Sequence, residues 1–188
     1  GDEIKLAAAG SLEGSLLNQF SIDEYKDHFR FVLTDYNVSY KGNYTVTNSS
    51  VNSLVILDGD LKETGKITNI APGERVYSVR FMGDTAYFVT FRQVDPLFSV
   101  DVSDPHNPKI IGALKIPGFS NYLFPYGDGK LLGLGRNADE YTGRTGSIKL
   151  SMFDISDPAN VTESDKTDVN ADYSAALYNH KAVLCDYN

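Results

Sequence analysis

The 188-residue sequence contains no tryptophan, one cysteine and two methionines. The single cysteine, Cys185, excludes an intrachain disulfide and a metal cluster built on cysteine ligands. Lys and Arg number 17 against 25 Asp and Glu, which gives a net charge of −8. The positive surface with which proteins bind nucleic acid or an anionic membrane is therefore not expected. Apolar runs also fall short of the roughly 18 residues of a spanning helix, so the sequence predicts no transmembrane segment.

Aromatic residues are plentiful, with 12 Tyr and 10 Phe, and they favour strands over helices. Hydrophobic residues make up 41% and charged residues 22%, which is ordinary for a globular domain. The length suits one well-buried domain. Composition thus predicts a folded, strand-rich domain.

Residues 74–118 predict four consecutive strands, and the rest of the chain resembles imperfect copies of this stretch. Runs rich in valine, tyrosine and phenylalanine or in other apolar residues cover residues 76–81, 85–91, 97–102 and 109–116. Segments containing Gly, Pro, Asp and Asn separate these runs, and such residues favour turns. The pattern predicts an antiparallel meander of four strands.

An internal repeat extends this meander along the chain. Asp58, Asp101 and Asp154 end the runs LVILD, LFSVD and LSMFD, at spacings of 43 and 53 residues. The second and third copies continue as D-x-S-D-P, and Pro-Gly at 72–73 and at 117–118 gives a second marker with the same phase. A repeat of about 40 to 45 residues is typical of propeller blades, the second interval being lengthened by an insertion.

The sequence therefore predicts an all-β fold, a partial β-propeller of about three and a half four-stranded blades. Residues 1–15 are assigned to a lead-in or edge strand, and the blades to residues 16–70, 76–116, 119–170 and, in part, 173–188. The last piece is predicted as two strands, at 175–178 and 182–185, and residues 35–53 as a long hairpin loop or flexible insertion. An incomplete blade leaves an open edge, which predicts an edge-strand dimer or closure by further blades.

The segments GERVYSVRFMGD, VTFRQVDPLFSVDVSDP, LKIPGFSNYL and LNQFSIDEY carry a family resemblance. They resemble the family of secreted proteins with a C-terminal β-propeller distantly related to WD40 repeats. The resemblance runs from about Leu16 to the end of the chain. Phe124 departs from it, because the family has a histidine before this proline, so a role for that imidazole is in doubt in this chain. The resemblance implies a propeller and an extracytoplasmic setting, but no activity.

Three motifs suggest chemistry that their context does not support. The run LGLGRNA at 132–138 matches a G-x-G-x-x-A dinucleotide fingerprint, yet no helix is expected after it. Asp168, Asn170 and Asp172 are spaced as at the start of a calcium loop, but the glycine and glutamate that complete such a loop are missing. Asp101 and Asp154 recur at equivalent positions in separate blades, so they are not interpreted as a catalytic pair. Asp104 and Asp157, which precede Pro105 and Pro158, are interpreted as turn residues.

The candidate ligand site lies on the predicted innermost strands. Ser78 and Arg80 would share one face of such a strand, with Asn121 on the next and Arg92 and Asp95 near one mouth of the channel. Two arginines in an acidic chain would form a local positive spot suited to a carboxylate or another anionic group. The alternative is a structural Arg–Asp pair that bridges neighbouring blades.

These observations favour an extracytoplasmic binding or scaffolding module with a protein or glycan partner, located outside the cell or on its surface. The alternative is a hydrolase or lyase with its site at the channel mouth, completed by blades outside this chain. No catalytic residue and no cofactor are predicted. Cys185 lies in the apolar run AVLC and is expected to be a buried, inert thiol.

Overall fold

The computed structural model describes residues 3–41, 44–91, 95–139 and 141–186, with the backbone alone for 37–41, 44–48 and 95. Over these residues the chain forms thirteen strands, four short 3-10 turns and no α-helix. The strands make three antiparallel sheets that follow one another along the chain, called blades one, two and three below. The predicted all-β propeller architecture is confirmed.

Blade one contains β1 to β5. Its strands are β1 (Ser15–Leu16), β2 (Ile22–Tyr25), β3 (His28–Lys41), β4 (Tyr44–Leu57) and β5 (Glu63–Ile70). β1 and β2 pair with successive stretches of the same edge of β3, and β4 and β5 follow on the other side. A 3-10 turn, Gln19–Ser21, separates β1 from β2, so these pieces together form the interrupted first strand of the blade.

Blades two and three are simple four-stranded meanders. Blade two contains β6 (Arg75–Met82), β7 (Thr85–Phe91), β8 (Asp95–Asp101) and β9 (Lys109–Ile116). Blade three contains β10 (Phe119–Pro125), β11 (Lys130–Ala138), β12 (Thr145–Asp154) and β13 (Thr162–Val169). In both, the strands pair in chain order. The four strands predicted within residues 74–118 match β6 to β9 to within two residues at each end.

Blade two is buried on both faces because side chains alternate across each strand. In β7, Ala86 and Phe88 belong to a core cluster shared with blade one, whereas Tyr87 and Val89 belong to a cluster shared with blade three. The central residues of β7 are accordingly all buried, which explains why this strand reads as a continuous apolar and aromatic run. Stacking of the sheets thus supplies the core that one blade lacks.

Blade three uses glycine where its first two strands approach closely. A Cβ at Gly135 would collide with the carbonyl oxygen of Phe119, and one at Gly133 would meet the Ser120 hydroxyl and the Phe153 ring. Both glycines lie inside β11, which continues to Ala138. The G-x-G-x-x-A run therefore reflects tight strand packing, and no helix follows it to hold a pyrophosphate.

Two sequence predictions are wrong in detail. Residues 35–53, predicted as a loop or insertion, instead continue strands β3 and β4 into a long two-stranded ribbon, with the tip at 42–43 outside the described residues. The predicted strands at 175–178 and 182–185 are instead the 3-10 turns Ala175–Leu177 and His180–Ala182. The side chains of Ser174 and Asn179 accept hydrogen bonds from backbone amides two residues on, which favours local turns over a strand.

The two ends of the chain lie over the outward faces of the stack. Leu12 packs against Leu33, Val55 and Leu57 of blade one, and Leu177 is buried against blade three. Among the described residues 3–15 of the predicted lead-in, Ser15 alone belongs to a strand, because β1 begins there and pairs with β3. Residues 3–14 form no strand.

Candidate central cleft

The first strands of the three blades meet around one cleft. β6 contacts β10 on one side and the Gln19–Ser21 turn on the other. A cavity of about 500 Å³ opens between these elements. Its polar and aromatic lining comprises Asn18, Gln19 and Tyr36 from blade one, Arg75 and Tyr77 from blade two, Asn121 and Tyr122 from blade three, and Tyr178 and His180 from the C-terminal segment. Because first strands line the central channel of a propeller, this is the channel side of the stack.

Each first strand is irregular at the same position. Tyr77 is the extra residue of a bulge, because Val76 and Ser78 pair with consecutive residues of β7. Asn121 is the extra residue of a bulge in β10, between Ser120 and Tyr122. Met82 and Tyr126 are the last residues before the first turn of blades two and three, where they pair with Thr85 and Lys130. Tyr77 lies five residues before Met82, and Asn121 lies five residues before Tyr126, so the two bulges occupy the same position.

Blade one repeats the irregularity in another form. Phe20 lies five residues before Tyr25, which pairs with His28 across the first turn, and it belongs to the 3-10 turn that interrupts this strand. Bulges redirect side chains and are over-represented beside functional sites. Here the three irregularities lie beside one cleft, which Gln19, Tyr77 and Asn121 line.

Arg75 is held at the cleft by Tyr77. Its Nη2 donates a hydrogen bond of 2.8 Å to the Tyr77 hydroxyl, and its guanidinium carbon lies 4.7 Å from the centre of the Tyr77 ring. The ring is fixed in turn, because its centre lies 5.6 Å from that of Phe91 and 4.7 Å from that of Phe119. Arg75 itself is exposed. The arrangement presents a positioned cation to the cleft.

An aromatic cluster of Phe20, Tyr122 and His180 lies beside the cleft. The His180 ring meets Phe20 edge-on, with centres 5.2 Å apart, and lies 6.3 Å from Tyr122. The Gln19 amide nitrogen lies 2.8 Å from His180 Nε2, which joins the start of blade one to the C-terminal segment. These side chains combine apolar ring faces with groups that form hydrogen bonds.

Arg80 performs a structural task below the cleft. Its Nε donates a hydrogen bond of 2.8 Å to the Leu123 carbonyl, so it joins β6 to β10. The guanidinium carbon also lies 4.2 Å from the centre of the Phe20 ring. Burial lowers the pKa of the Arg80 guanidinium, which stays charged because an arginine begins so high. The structural alternative expected an Arg–Asp pair between neighbouring blades. Arg80 does join two blades, but its partner is the Leu123 carbonyl rather than an aspartate.

The structure describes the other predicted site residues to different extents. Ser78 is 2% exposed, and in the part of the chain that the structure describes its hydroxyl has no hydrogen-bond partner. Asn121 lines the cleft. Asp95 begins β8, where its backbone pairs with Ile116. Arg92 lies outside the described residues, so the predicted pairing of two arginines stays a prediction.

Asp104 and Asp157 are turn residues, as predicted, because their Oδ1 atoms accept 3.0 Å hydrogen bonds from the His106 and Ala159 amides. Asp101 and Asp154 begin the same turns. Asp101 Oδ1 accepts a 2.9 Å hydrogen bond from the Ser103 amide, and Asp154 Oδ1 accepts one of the same length from the Ser156 amide. Hydrogen bonds from the Ser103 hydroxyl and amide lower the pKa of Asp101, and bonds from the Ser156 amide and hydroxyl lower the pKa of Asp154. Both carboxylates therefore stabilise turns.

The calcium hypothesis gains no support. Asp168 lies in β13 and accepts a 3.4 Å hydrogen bond from the Asn137 amide. The backbone carbonyl of Asp172 accepts a bond from Arg136. Among residues 3–41, 44–91, 95–139 and 141–186, no group of three or more His, Cys, Asp or Glu side chains is placed to hold a metal. Cys185 is half-buried rather than buried as expected, because the neighbouring Leu184 leaves the surface of the domain and is exposed. Its partial desolvation raises the pKa of the thiol.

Sequence reasoning missed two arginines. Arg75 is noticed only once the bulge at Tyr77 places both residues at the cleft. Arg30 is 2% exposed and lies inside the apolar run FRFVL, where an isolated charge was the available signal. Its Nη1 donates a 2.6 Å hydrogen bond to the Gly83 carbonyl of blade two, and its Nε bonds Asp23 at 3.0 Å. It therefore joins blades one and two.

Stacked four-stranded blades whose first strands surround a cleft define the molecule as a β-propeller. A family model described as Beta propeller domain matches residues 1–188, and the chain belongs to this family.

Two relatives of this chain come from archaea. An uncharacterized protein of Methanocaldococcus jannaschii is 42% identical over 178 residues, which cover 95% of this chain and 27% of the relative. An uncharacterized protein of Archaeoglobus fulgidus is 42% identical over 185 residues, covering 97% and 27%. The chain thus spans 27% of the length of both relatives.

Two solved structures resemble the chain distantly. A crystal structure of an ACO/RPE65 chimera aligns with a TM-score of 0.43 and 14% identity, over 74% of this chain and 35% of that one. Cobalt-substituted Synechocystis ACO aligns with a TM-score of 0.39 and 15% identity, again over 74% and 35%. At these TM-scores the two likenesses carry no argument about function.

Proposed function

We propose that the domain is an extracytoplasmic binding or scaffolding module, which holds a protein or glycan partner through a carboxylate or other anionic group in the central cleft. One observation carries the proposal: all three first strands break their regular pairing at the same position, beside one cavity. Rigid sheets that deliver irregular backbone to one place are a common way to build a binding site.

The chemistry of the lining supports an anionic ligand. Arg75 supplies a cation with a forked set of donors, which suits a carboxylate. The amides of Gln19 and Asn121 offer further hydrogen bonds, and the rings of Tyr77 and Tyr122 offer flat apolar surface. Against a net charge of −8, this arginine gives the cleft a sign opposite to that of the molecule.

The extracytoplasmic setting rests on the resemblance to secreted propeller proteins. No helix in the described part of the chain is long and apolar enough to cross a membrane. Cell fractionation of the source organism, with an antibody against the domain, tests the location. Recovery of the protein in the cytosolic fraction alone would refute it.

The hydrolase or lyase alternative depends on catalytic groups from other blades. Among the described lining residues, Arg75, His180 and the amides form no pair of carboxylates and no nucleophile with an adjacent base. The binding proposal therefore takes precedence.

Calorimetric titration with a trigalacturonate, its neutral methyl ester and a pentaglutamate peptide tests the ligand class. We expect the acid to bind at least about tenfold more tightly than its ester, since one charge-assisted hydrogen bond contributes about 1.5 kcal/mol. Tighter binding of the peptide would assign the cleft to a protein partner. Failure of every acidic probe to bind would refute the proposal.

Three arginine variants separate binding from stability. Arg75→Ala is expected to weaken binding of the acidic probe about tenfold while leaving the melting temperature unchanged, because Arg75 is exposed. Arg80→Ala is expected to lower the melting temperature, because it removes the bond to Leu123. Arg144→Ala is the control, an exposed arginine away from the cleft. An equal loss of binding in Arg144→Ala would mean that general charge, not the cleft, attracts the probe.

A further inference from the structure

Tyrosines are concentrated around the central cleft. Of the 12 in the chain, Tyr36, Tyr77, Tyr122 and Tyr178 line the cavity. Tyr36 and Tyr178 are exposed, and Tyr178 keeps 64% of its surface open to solvent. A tyrosine ring offers a flat apolar face and a hydroxyl that forms hydrogen bonds. The cleft is therefore bordered by surfaces of mixed polarity.

A fifth tyrosine extends this border beyond the cleft. The Tyr173 ring stacks on the Tyr178 ring, with centres 6.0 Å apart and planes inclined by 28°. Tyr173 is 71% exposed and does not line the cavity. The pair of Tyr178 and Tyr173, called the tyrosine platform below, thus leads from the cleft onto the surface of the domain. Exposed apolar surface beside a cavity marks an interaction site.

The platform is fixed although it is exposed. Leu177, which lies between the two tyrosines in the chain, is buried among apolar residues of blade three. On one side of it the Asp172 carbonyl accepts a 2.6 Å hydrogen bond from Arg136 Nη2, and on the other His180 Nε2 lies 2.8 Å from the Gln19 amide nitrogen. Rings carried by an ordered backbone lose little conformational entropy when a ligand stacks on them.

The positive charge lies at the cleft end of this path. Among the described residues that line the cavity, Arg75 is the only Arg or Lys. The two platform residues are neutral, and beside them the charges of Asp172 and Arg136 offset each other. The surface therefore suits a ligand with an anionic end and a neutral remainder.

The backbone around the cleft favours a carbohydrate over a peptide strand. An extended peptide binds a sheet edge by pairing with a regular row of amide and carbonyl groups. At the cleft this row is interrupted by the bulges at Tyr77 and Asn121 and by the 3-10 turn Gln19–Ser21. A sugar needs no such row, because its C–H faces contact aromatic rings and its hydroxyls bond to polar side chains such as that of Asn18.

Given the anion-binding cleft proposed above, on which this inference rests, we propose that the domain binds an oligosaccharide that ends in an acidic sugar. The acidic sugar lies in the cleft at Arg75, and the neutral sugars that follow it lie on the tyrosine platform. Tyr178 contacts the sugar nearer the acid and Tyr173 the next one, because Tyr178 lines the cleft and Tyr173 lies beyond it.

Calorimetric titration with glucuronate, glucuronosyl-xylobiose and xylotriose tests the ligand. We expect glucuronosyl-xylobiose to bind at least about tenfold more tightly than glucuronate, because its two neutral sugars stack on the platform. Xylotriose should bind at least about tenfold more weakly than glucuronosyl-xylobiose, because it lacks the carboxylate. Equal affinities for glucuronate and glucuronosyl-xylobiose would overturn the platform and leave the anion-binding cleft in place.

Tyrosine variants test the platform directly. Tyr173→Ala should weaken binding of glucuronosyl-xylobiose about fivefold and leave binding of glucuronate unchanged, because Tyr173 does not line the cavity. Tyr173→Phe keeps the ring and should bind both sugars as the wild type does. Tyr141→Ala, at another exposed tyrosine that does not line the cavity, is the matched control. An unchanged affinity in Tyr173→Ala, or an equal loss in Tyr141→Ala, would overturn the platform.

Arg75→Ala distinguishes the two proposals. If glucuronate binds this variant as tightly as it binds the wild type, or binds neither, the anion-binding cleft is refuted and the platform with it. Pentaglutamate provides the remaining comparison. If it binds more tightly than glutamate and Tyr173→Ala abolishes that gain, the platform holds an acidic peptide and the carbohydrate assignment is overturned.

Discussion

The two blade junctions join similar sheets by different means. Between blades one and two, Arg30 crosses the junction: it bonds Asp23 in its own blade and the Gly83 carbonyl in the next, with its guanidinium carbon 4.9 Å from the centre of the Phe81 ring. Between blades two and three, an aromatic group of Tyr77, Phe91 and Phe119 occupies the cleft end.

The difference shows where charged side chains are accommodated between the blades. Both junctions bury a large apolar cluster, and at both a turn of the later blade packs against a glycine of the earlier one, Gly65 or Gly112. The variation is confined to the first two strands of each blade, where Arg30 in β3 lies at one junction and Arg80 in β6 at the other. Arg80 donates to a backbone carbonyl and remains partly exposed, whereas Arg30 is almost fully buried. The first junction should therefore depend more strongly on its charge.

Replacing the two arginines separately gives the largest expected effect. Arg30→Ala should lower the free energy of unfolding by about 2 to 3 kcal/mol, because it removes the buried partner of the half-buried Asp23 and leaves the Gly83 carbonyl unsatisfied. Arg80→Ala should cost about 1 to 2 kcal/mol, the value of one hydrogen bond and one cation–π contact. Urea unfolding measures both.

Arg30→Met is the matched control for this comparison. It keeps most of the side-chain volume and removes the charge, so its loss of stability should lie between those of wild type and Arg30→Ala. If Arg80→Ala proved more destabilising than Arg30→Ala, the inner contact of the second junction would be the stronger one, and the comparison would be reversed.

A glycine substitution tests what the junctions share. Gly112→Ala should lower the free energy of unfolding by about 2 kcal/mol, because the added methyl group collides with the Ser99 hydroxyl and backbone carbonyls of blade three. Gly65→Ala should cost a similar amount at the other junction. Gly127→Ala reports backbone strain without crowding, because Gly127 has positive φ and no atom near its Cβ position. If Gly65→Ala and Gly112→Ala lower the free energy of unfolding less than Gly127→Ala does, the turns at Pro105 and Pro158 must move to accommodate the added methyl groups.

The sequence predicted the repeated parts of the fold better than the unrepeated ones. Asp101 and Asp154 gave the phase of the blades, and their turn role follows from elementary hydrogen bonding. The pattern could not show that residues 35–53 continue the ribbon, since polar strands that leave the core carry no alternation of apolar residues. Residues 175–185 have apolar runs that suit a strand, yet Ser174 and Asn179 cap local turns instead.

The sequence predicted where the candidate site lies, on the first strands of the blades, better than it predicted which residues line it. Asn121 was expected at the cleft and lies there, but Arg80 is held by Leu123. The bulge at Tyr77 accounts for this difference, because it shifts the side chains before it by one residue relative to a regular strand. A bulge leaves no mark in the period of so short a strand. Arg75 was therefore missed for a geometric reason.

Acid should weaken both junctions in the same way. This effect should be smaller than those of the arginine and glycine substitutions. The pKa of Asp101 lies below its ordinary value of 3.8, because the Ser103 hydroxyl and amide donate to the ionised carboxylate. The pKa of Asp154 is lowered by the Ser156 amide and hydroxyl. A lowered folded pKa means that the stabilisation is complete above 3.8 and is lost as the pH falls through the folded value. The melting temperature should therefore begin to fall below about pH 4.

Asparagine at these positions separates the turns from the other carboxylates. Asp101→Asn and Asp154→Asn keep an oxygen that accepts the amide hydrogen bond but cannot be protonated in this range. Each variant should show a shallower fall in melting temperature between pH 5 and pH 2 than wild type. Because the Asp101 turn docks on blade one and the Asp154 turn on blade two, the two variants should change the slope alike. A change in Asp101→Asn alone would show that only the first junction is sensitive to acid through its turn, and the resemblance between the junctions would then be limited to their glycines.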